Sequence, residues 1–233
     1  KGRILVAGYS ADLCPTNSKE AFVVARVLSN GSVDQSFGRG YVCAKLSGTT
    51  HDKSDRATSI RMQADKIVIS GMVDYSIGMF GVVRLLENGS FDDTFGDPNL
   101  LRPGKRLGYK LFAPHNPEGT QTLAETLAIQ ADGKILVGGG SSFYLNGKDP
   151  DGSNRHWTLM IGDVVQALCA RPGWKVVRFM PNGDLDTSFG DDPLHPGIWT
   201  NAHSLEPRPT GLAGLSALAT LPLRATSTLA PTA

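Results

Sequence analysis

The sequence predicts an all-β protein built from repeated units, and two observations carry that expectation. A nine-residue phrase occurs three times, as NGSVDQSFG at 30–38, NGSFDDTFG at 88–96 and NGDLDTSFG at 182–190. Each copy follows an apolar run that holds an Arg four residues before its Asn: Arg26, Arg84 and Arg178. Composition agrees, since 27 glycines and 14 prolines in 233 residues, with 40% hydrophobic residues, describe a turn-rich globular chain of many short strands.

The runs around the three arginines, FVVARVL, FGVVRLL and WKVVRFM, read as strands. Upstream of each lies another run closing on glycine: GRILVAG at 2–8, DKIVISG at 65–71 and GKILVGG at 133–139. ATSIRMQAD at 57–65 and AETLAIQAD at 124–132 precede the second and third of these, and YVCAKL at 41–46 follows the first Phe-Gly. Each unit therefore has about four strands and a period near 60 residues, with extra sequence between Gly139 and Arg178. The expected organisation is β repeats over 1–205, in units at about 1–63, 64–130 and 131–205, with an insertion at about 140–173. Residues 206–233 form a tail without acidic side chains beyond Glu206. It stands where a fourth copy is due and reads either as a low-complexity linker or as a frameshifted end.

Asn-Gly between two strands is a strong hairpin signal, because a type I′ turn needs positive φ at both central residues. A two-residue turn sets Arg26 opposite Gln35 and Val24 opposite Phe37, with the Phe beside the Arg stem. The same register sets Arg84 opposite Asp93 but offers only Gln35 and Thr187 in the other copies, so this pairing leaves the repeated Arg unexplained. Asp34, Asp92 and Asp186 fall on the other face, each followed two residues later by Ser or Thr. That spacing suits a side-chain-bonded turn ending a strand. Reading each Asp as a ligand or catalytic carboxylate would instead demand three equivalent sites.

These residues resemble the delta-60 repeat family, with ADGKILVGG at 131–139, FMPNGDLDTSFG at 179–190 and LAIQADGK at 127–134 close to its pattern. The chain departs from it at QADKIV, which lacks the Gly, and at the interrupted third unit. The resemblance implies a β-propeller-like array, a bacterial and often exported or cell-surface protein, and no established activity. Closed propellers usually need about four to eight blades, so three units imply a partial propeller, with a β-solenoid as the alternative.

Charge and motifs exclude several functions. With 23 Lys and Arg against 22 Asp and Glu, the net charge of +1 gives no reason to expect a nucleic acid partner. No apolar run approaches the ~18 residues of a membrane helix. Cys14, Cys43 and Cys169 form no C-x-x-C and no complete disulfide framework, which leaves one thiol free or paired with another chain. The histidines, His51, His115, His156, His195 and His203, show no metal-ligand spacing, and no cofactor motif or G-x-S-x-G is present. NGKDPDGSN at 146–154 fails as a calcium loop because Asn154 stands where the tight-turn Gly belongs. VGGGSSF at 137–143 lacks the P-loop Lys and reads as a strand end.

The insertion is the expected place for a binding surface, since extra residues in a repeat emerge as a loop. Arg155, His156, Trp157 and Arg171 are its candidate binding residues, because Arg beside Trp suits recognition. The competing reading makes Trp157 and Trp174 packing residues of the interrupted unit. The expected function is a non-catalytic binding or scaffold module of an exported bacterial protein, taking a protein or carbohydrate ligand. Self-association or further repeats would close the ring. The alternative is a propeller-type lyase or glycoside hydrolase with its site at the channel mouth, and a more remote one is a decayed gene product without function.

Overall fold

The computed structural model describes residues 2–14, 20–47, 53–74, 78–113, 120–143, 174–190 and 196–200. They form three antiparallel sheets in series. The first contains β1 (Ile4–Ser10), β2 (Ala21–Val27) and β3 (Tyr41–Ala44). In the second, β4 (Arg56–Gln63), β5 (Lys66–Val73), β6 (Met79–Leu85) and β7 (Tyr109–Phe112) pair in chain order. In the third, β8 (Thr120–Ile129), β9 (Ile135–Phe143), β10 (Trp174–Phe179) and β11 (Ile198–Thr200) repeat that order. Apart from a 3-10 turn at Gly38–Gly40, the described residues contain no helix. The architecture is all-β and propeller-like, three consecutive blade-like sheets of a partial ring.

The sheets stack face to face and share their cores. Phe22 and Val24 of β2 pack with Ile67 and Ile69 of β5 in one cluster. Val68 of β5 and Phe80 and Val82 of β6 pack with Ile135 and Val137 of β9 in the next. Because the second sheet is covered on both faces, β5 reads as an unbroken apolar run and not as an alternating one. The glycine closing each apolar run has a steric cause. A Cβ on Gly71 would strike the Arg56 carbonyl and one on Gly139 the Leu123 carbonyl, beside β-bulges at Ala57/Ser59 and Ala124/Thr126. Gly8, at the same place in the first sheet, faces open space because β1 has no further strand beside it among the described residues.

The repeated turn differs from the expected two-residue hairpin by one residue. Leu28 N–H donates to Ser32 O at 2.8 Å and Val27 pairs with Val33, so the loop is Ser29-Asn30-Gly31. Only the glycine takes positive φ, 84° at Gly31 and 89° at both Gly89 and Gly183, as in a type I turn closed by a left-handed residue. This shift places Asp34, not Gln35, opposite Arg26; Asp92, not Asp93, opposite Arg84; and Asp186, not Thr187, opposite Arg178. The expectation that cross-strand pairing leaves the Arg unexplained is thereby overturned.

Cys14 and Cys43 form a disulfide that ties the segment after β1 to β3. No helix among the described residues is long and apolar enough to cross a membrane.

Candidate functional site

The three copies of the phrase build one side-chain cluster three times over. Arg26 Nε donates to Asp34 Oδ2, Arg84 Nε to Asp92 Oδ2 and Arg178 Nε to Asp186 Oδ2, each at 2.8 Å. The other carboxylate oxygen accepts twice from the residue two places on: from the backbone N–H at 3.0–3.1 Å and from the hydroxyl of Ser36, Thr94 or Ser188 at 2.6 Å. Each hydroxyl in turn accepts from Nη2 of its Arg, at 3.1 Å in the first two units and 3.3 Å in the third. The Asp turn was legible from the sequence spacing, whereas its junction to the Arg depends on the corrected register.

A second cation joins each cluster: Arg3 Nε lies 3.8 Å from Asp34 Oδ2, Lys66 Nζ 3.7 Å from Asp92 Oδ2 and Lys134 Nζ 3.1 Å from Asp186 Oδ2. Each of these residues directly precedes its Ile-rich run. This is a repeated signal that sequence reasoning passed over. The guanidinium also lies over the ring of the Phe that ends the phrase, 4.9 Å from Phe37, 4.5 Å from Phe95 and 4.6 Å from Phe189. The expected Phe contact therefore involves the charged head.

The cluster reaches into the following sheet. Arg26 Nη1 donates to the Glu87 carbonyl and Arg84 Nη1 to the Pro181 carbonyl, in each case the residue before the next Asn-Gly. Beside them, Gly38 N–H donates to Asn88 O at 3.1 Å and Gly96 N–H to Asn182 O at 2.9 Å. Gln63 adds a relay, accepting from Arg84 Nη1 at 2.9 Å while its amide donates to Gly133 O. Arg106 pairs in bidentate fashion with Asp184 at 2.6 and 3.0 Å across the same junction. The Asn-Gly turn of one unit is thus the plug and the Arg–Phe–Gly of the preceding unit the socket.

Electrostatics follow the hydrogen bonds. The Ser36 hydroxyl, with the Ser36 N–H and Arg26, holds Asp34 below the ordinary carboxylate value against the opposing effect of burial. At Asp92 burial works to raise the carboxyl, and Thr94, Arg84 and Lys66 outweigh it so that it too lies low. Ser188 and Lys134 draw Asp186 well below the usual range. These carboxylates stay charged and fully engaged, so none offers an oxygen for general-base work. Burial also pushes the Glu125 carboxyl upward and draws Lys175 down to about 8.

Arg155, His156, Trp157 and Arg171 lie outside the described residues, as do the NGKDPDGSN segment and all five histidines. Among the described residues, no group of three His, Cys, Asp or Glu is placed to hold a metal ion.

Four segments of the chain, 2–37, 63–95, 130–153 and 171–189, match a family model described as a domain of unknown function (DUF5122) beta-propeller. The first, second and fourth segments end within the repeated phrase. No curated protein matches the chain.

Proposed function

From a chain whose units match a beta-propeller domain of unknown function, we propose that the protein is a delta-60-type scaffold or binding module and not an enzyme. The carrying observation is that every repeated Asp is consumed by its own Arg, hydroxyl and backbone N–H. The most distinctive side chains of the repeat therefore serve the junction between units. Work at an exported or cell-surface location is part of the proposal, and the Cys14–Cys43 disulfide supports it because such bonds persist in oxidising compartments.

The ligand class we propose is a carbohydrate or a protein, held by the loops that emerge from the stacked sheets. Calorimetric titration against neutral and acidic polysaccharides, with parallel assays for new reducing ends and unsaturated uronates, tests the reading. It expects saturable binding without product. Product accumulating beyond one equivalent per chain, and lost on heat denaturation, would contradict it and favour a lyase or glycoside hydrolase.

A further inference from the structure

The second unit carries a loop that the first does without. In each unit the N–H of a positive-φ glycine donates to the carbonyl of the Phe near the end of the phrase: Gly40 to Phe37 at 2.8 Å, Gly108 to Phe95 at 2.9 Å and Gly197 to Phe189 at 2.7 Å. Only Arg39 stands between Gly38, which ends the first phrase, and Gly40, whereas residues 97–107 stand between Gly96 and Gly108. The repeat closes without these extra residues, so they serve something other than the stacking of the sheets.

The loop is a built hairpin. Pro98 bridges Arg106, Asn99 N–H donates to Lys105 O at 2.9 Å, and two turns follow one another inside that ring. Arg102 N–H donates to Asn99 O and Lys105 N–H to Arg102 O, each at 3.0 Å, while Asn99 Oδ1 accepts from the Leu101 N–H at 3.0 Å. Pro103-Gly104, with Gly104 at φ 79°, suits the centre of a type II turn. The root is fixed to the third unit by the Arg106–Asp184 pair. At the corner of the first turn, where polar residues are the rule, stand Leu100 and Leu101, each 92% exposed. Every residue from 100 to 105 is exposed, and a Cβ on Gly104 would meet no atom within 4 Å. Such a convex tip offers no concavity for a small molecule, and two adjacent leucines held out in water contribute nothing to the core.

Charge says what the tip meets. Residues 98–106 contain Arg102, Lys105 and Arg106 and no acidic side chain. Arg106 is engaged with Asp184, Lys105 lies 2.9 Å from Asp93 with both about half exposed, and Arg102 makes no ion pair among the described residues. We propose that this tip docks on an anionic lipid surface. Leu100 and Leu101 enter the boundary between headgroups and acyl chains, and Arg102 and Lys105 lie behind them among the phosphates. Leucines ahead of snorkelling cations match the layering of such a bilayer, apolar within and negative at its face. Because the turns already fix the tip, little conformational freedom is lost on docking. Two leucines bury less than a myristoyl chain does, so the attachment is weak and reversible. It is a peripheral contact, independent of the carbohydrate or protein ligand proposed above.

Co-sedimentation of the full chain with vesicles tests it, using phosphatidylcholine alone and with about 30% phosphatidylglycerol, up to about 5 mM lipid. The variants are Leu100→Ser/Leu101→Ser and Arg102→Gln. Both alter side chains that face water, so their urea midpoints should match that of the unaltered chain. The expected result is binding to the anionic vesicles, weakened at least ~10-fold by the double leucine variant and about 5-fold by Arg102→Gln. Neutral vesicles should bind less well, and added salt should reduce the anionic binding. A chain that stays in the supernatant with anionic vesicles would overturn the proposal and leave the leucines to an apolar pocket on a partner protein. Binding unchanged by the double leucine variant would overturn it as well, since the contact would then lie elsewhere on the surface. Neither result alters what is expected of the polysaccharide titration.

Discussion

The Arg84 guanidinium donates to the carbonyl of Pro181, 97 residues further along the chain, while its Nε holds Asp92 at 2.8 Å. One buried side chain thus fixes a turn within its own sheet and the seat of the next sheet. The carboxylate orients the cation, the hydroxyl of Thr94 bridges the two, and the remaining N–H groups reach outward. Removing any member strands the others in a poorly solvated place.

Replacing Arg84 by Met leaves Asp92 buried with only Lys66, at 3.7 Å, as a charged partner. The expected cost is about 3–5 kcal/mol in denaturant unfolding, as for other broken buried pairs. Arg178→Met should cost less, because Lys134 lies closer to Asp186, at 3.1 Å, and the Arg178 side chain is 19% exposed against 7% for Arg84. Equal losses for the two variants would argue against a role across the junction.

Gly183→Ala and Gly31→Ala impose similar backbone strain, since both sites have positive φ, but they differ in surroundings. The new Cβ at 183 would stand 2.9 Å from the Gly96 nitrogen and from the Phe95 ring, and the one at 31 would stand in open space. Gly31→Ala should therefore lose only the conformational cost of about 1–2 kcal/mol, and Gly183→Ala clearly more. Thermal unfolding of the two variants reads the difference.

Acid should weaken the array. Asp34, Asp92, Asp184 and Asp186 all have carboxyls lowered in the folded chain. Their contribution is complete above the ordinary carboxylate value and is lost as pH falls through it toward the folded values. Glu125, raised by burial, acts in the opposite sense: its contribution is present at low pH and lost as pH rises through its folded value. Four groups outweigh one, so urea midpoints should hold steady above about pH 5 and fall below about pH 4. A midpoint that rises on acidification over that window would count against the charged latch.

Reduction of the Cys14–Cys43 bond, which spans 29 residues, should lower stability by about 2–4 kcal/mol. The loss should fall on the first sheet, since the bond ties the segment after β1 to Cys43 of β3, and it is measured by unfolding with and without reductant.

The fold was legible because its signals are local. Asn-Gly turns, apolar runs closing on glycine and the Asp-x-Ser/Thr step each announce themselves within ten residues, and all recur. The register was not legible, since Asn-Gly permits both a two-residue and a three-residue loop, and the choice moves every partner by one. The junction was hidden for a different reason. Its acceptors are the backbone carbonyls of Glu87, Asn88, Pro181 and Asn182, which carry no side-chain signature. Arg3, Lys66 and Lys134, in contrast, stood in view ahead of each Ile run and mark the same Asp.

Amide hydrogen exchange on the unaltered chain and on Arg84→Lys tests the latch most directly. Gly38 and Gly96 donate to the next unit's turn, so both amides should be protected in the unaltered chain. Lysine keeps a charge for Asp92 but cannot also reach the Pro181 carbonyl through a planar fork. Gly96 should then exchange faster in the variant while Gly38 keeps its protection. Gly96 exchanging at an unchanged rate in Arg84→Lys, or both amides unprotected from the start, would contradict the account of the repeated phrase as the fastening between units.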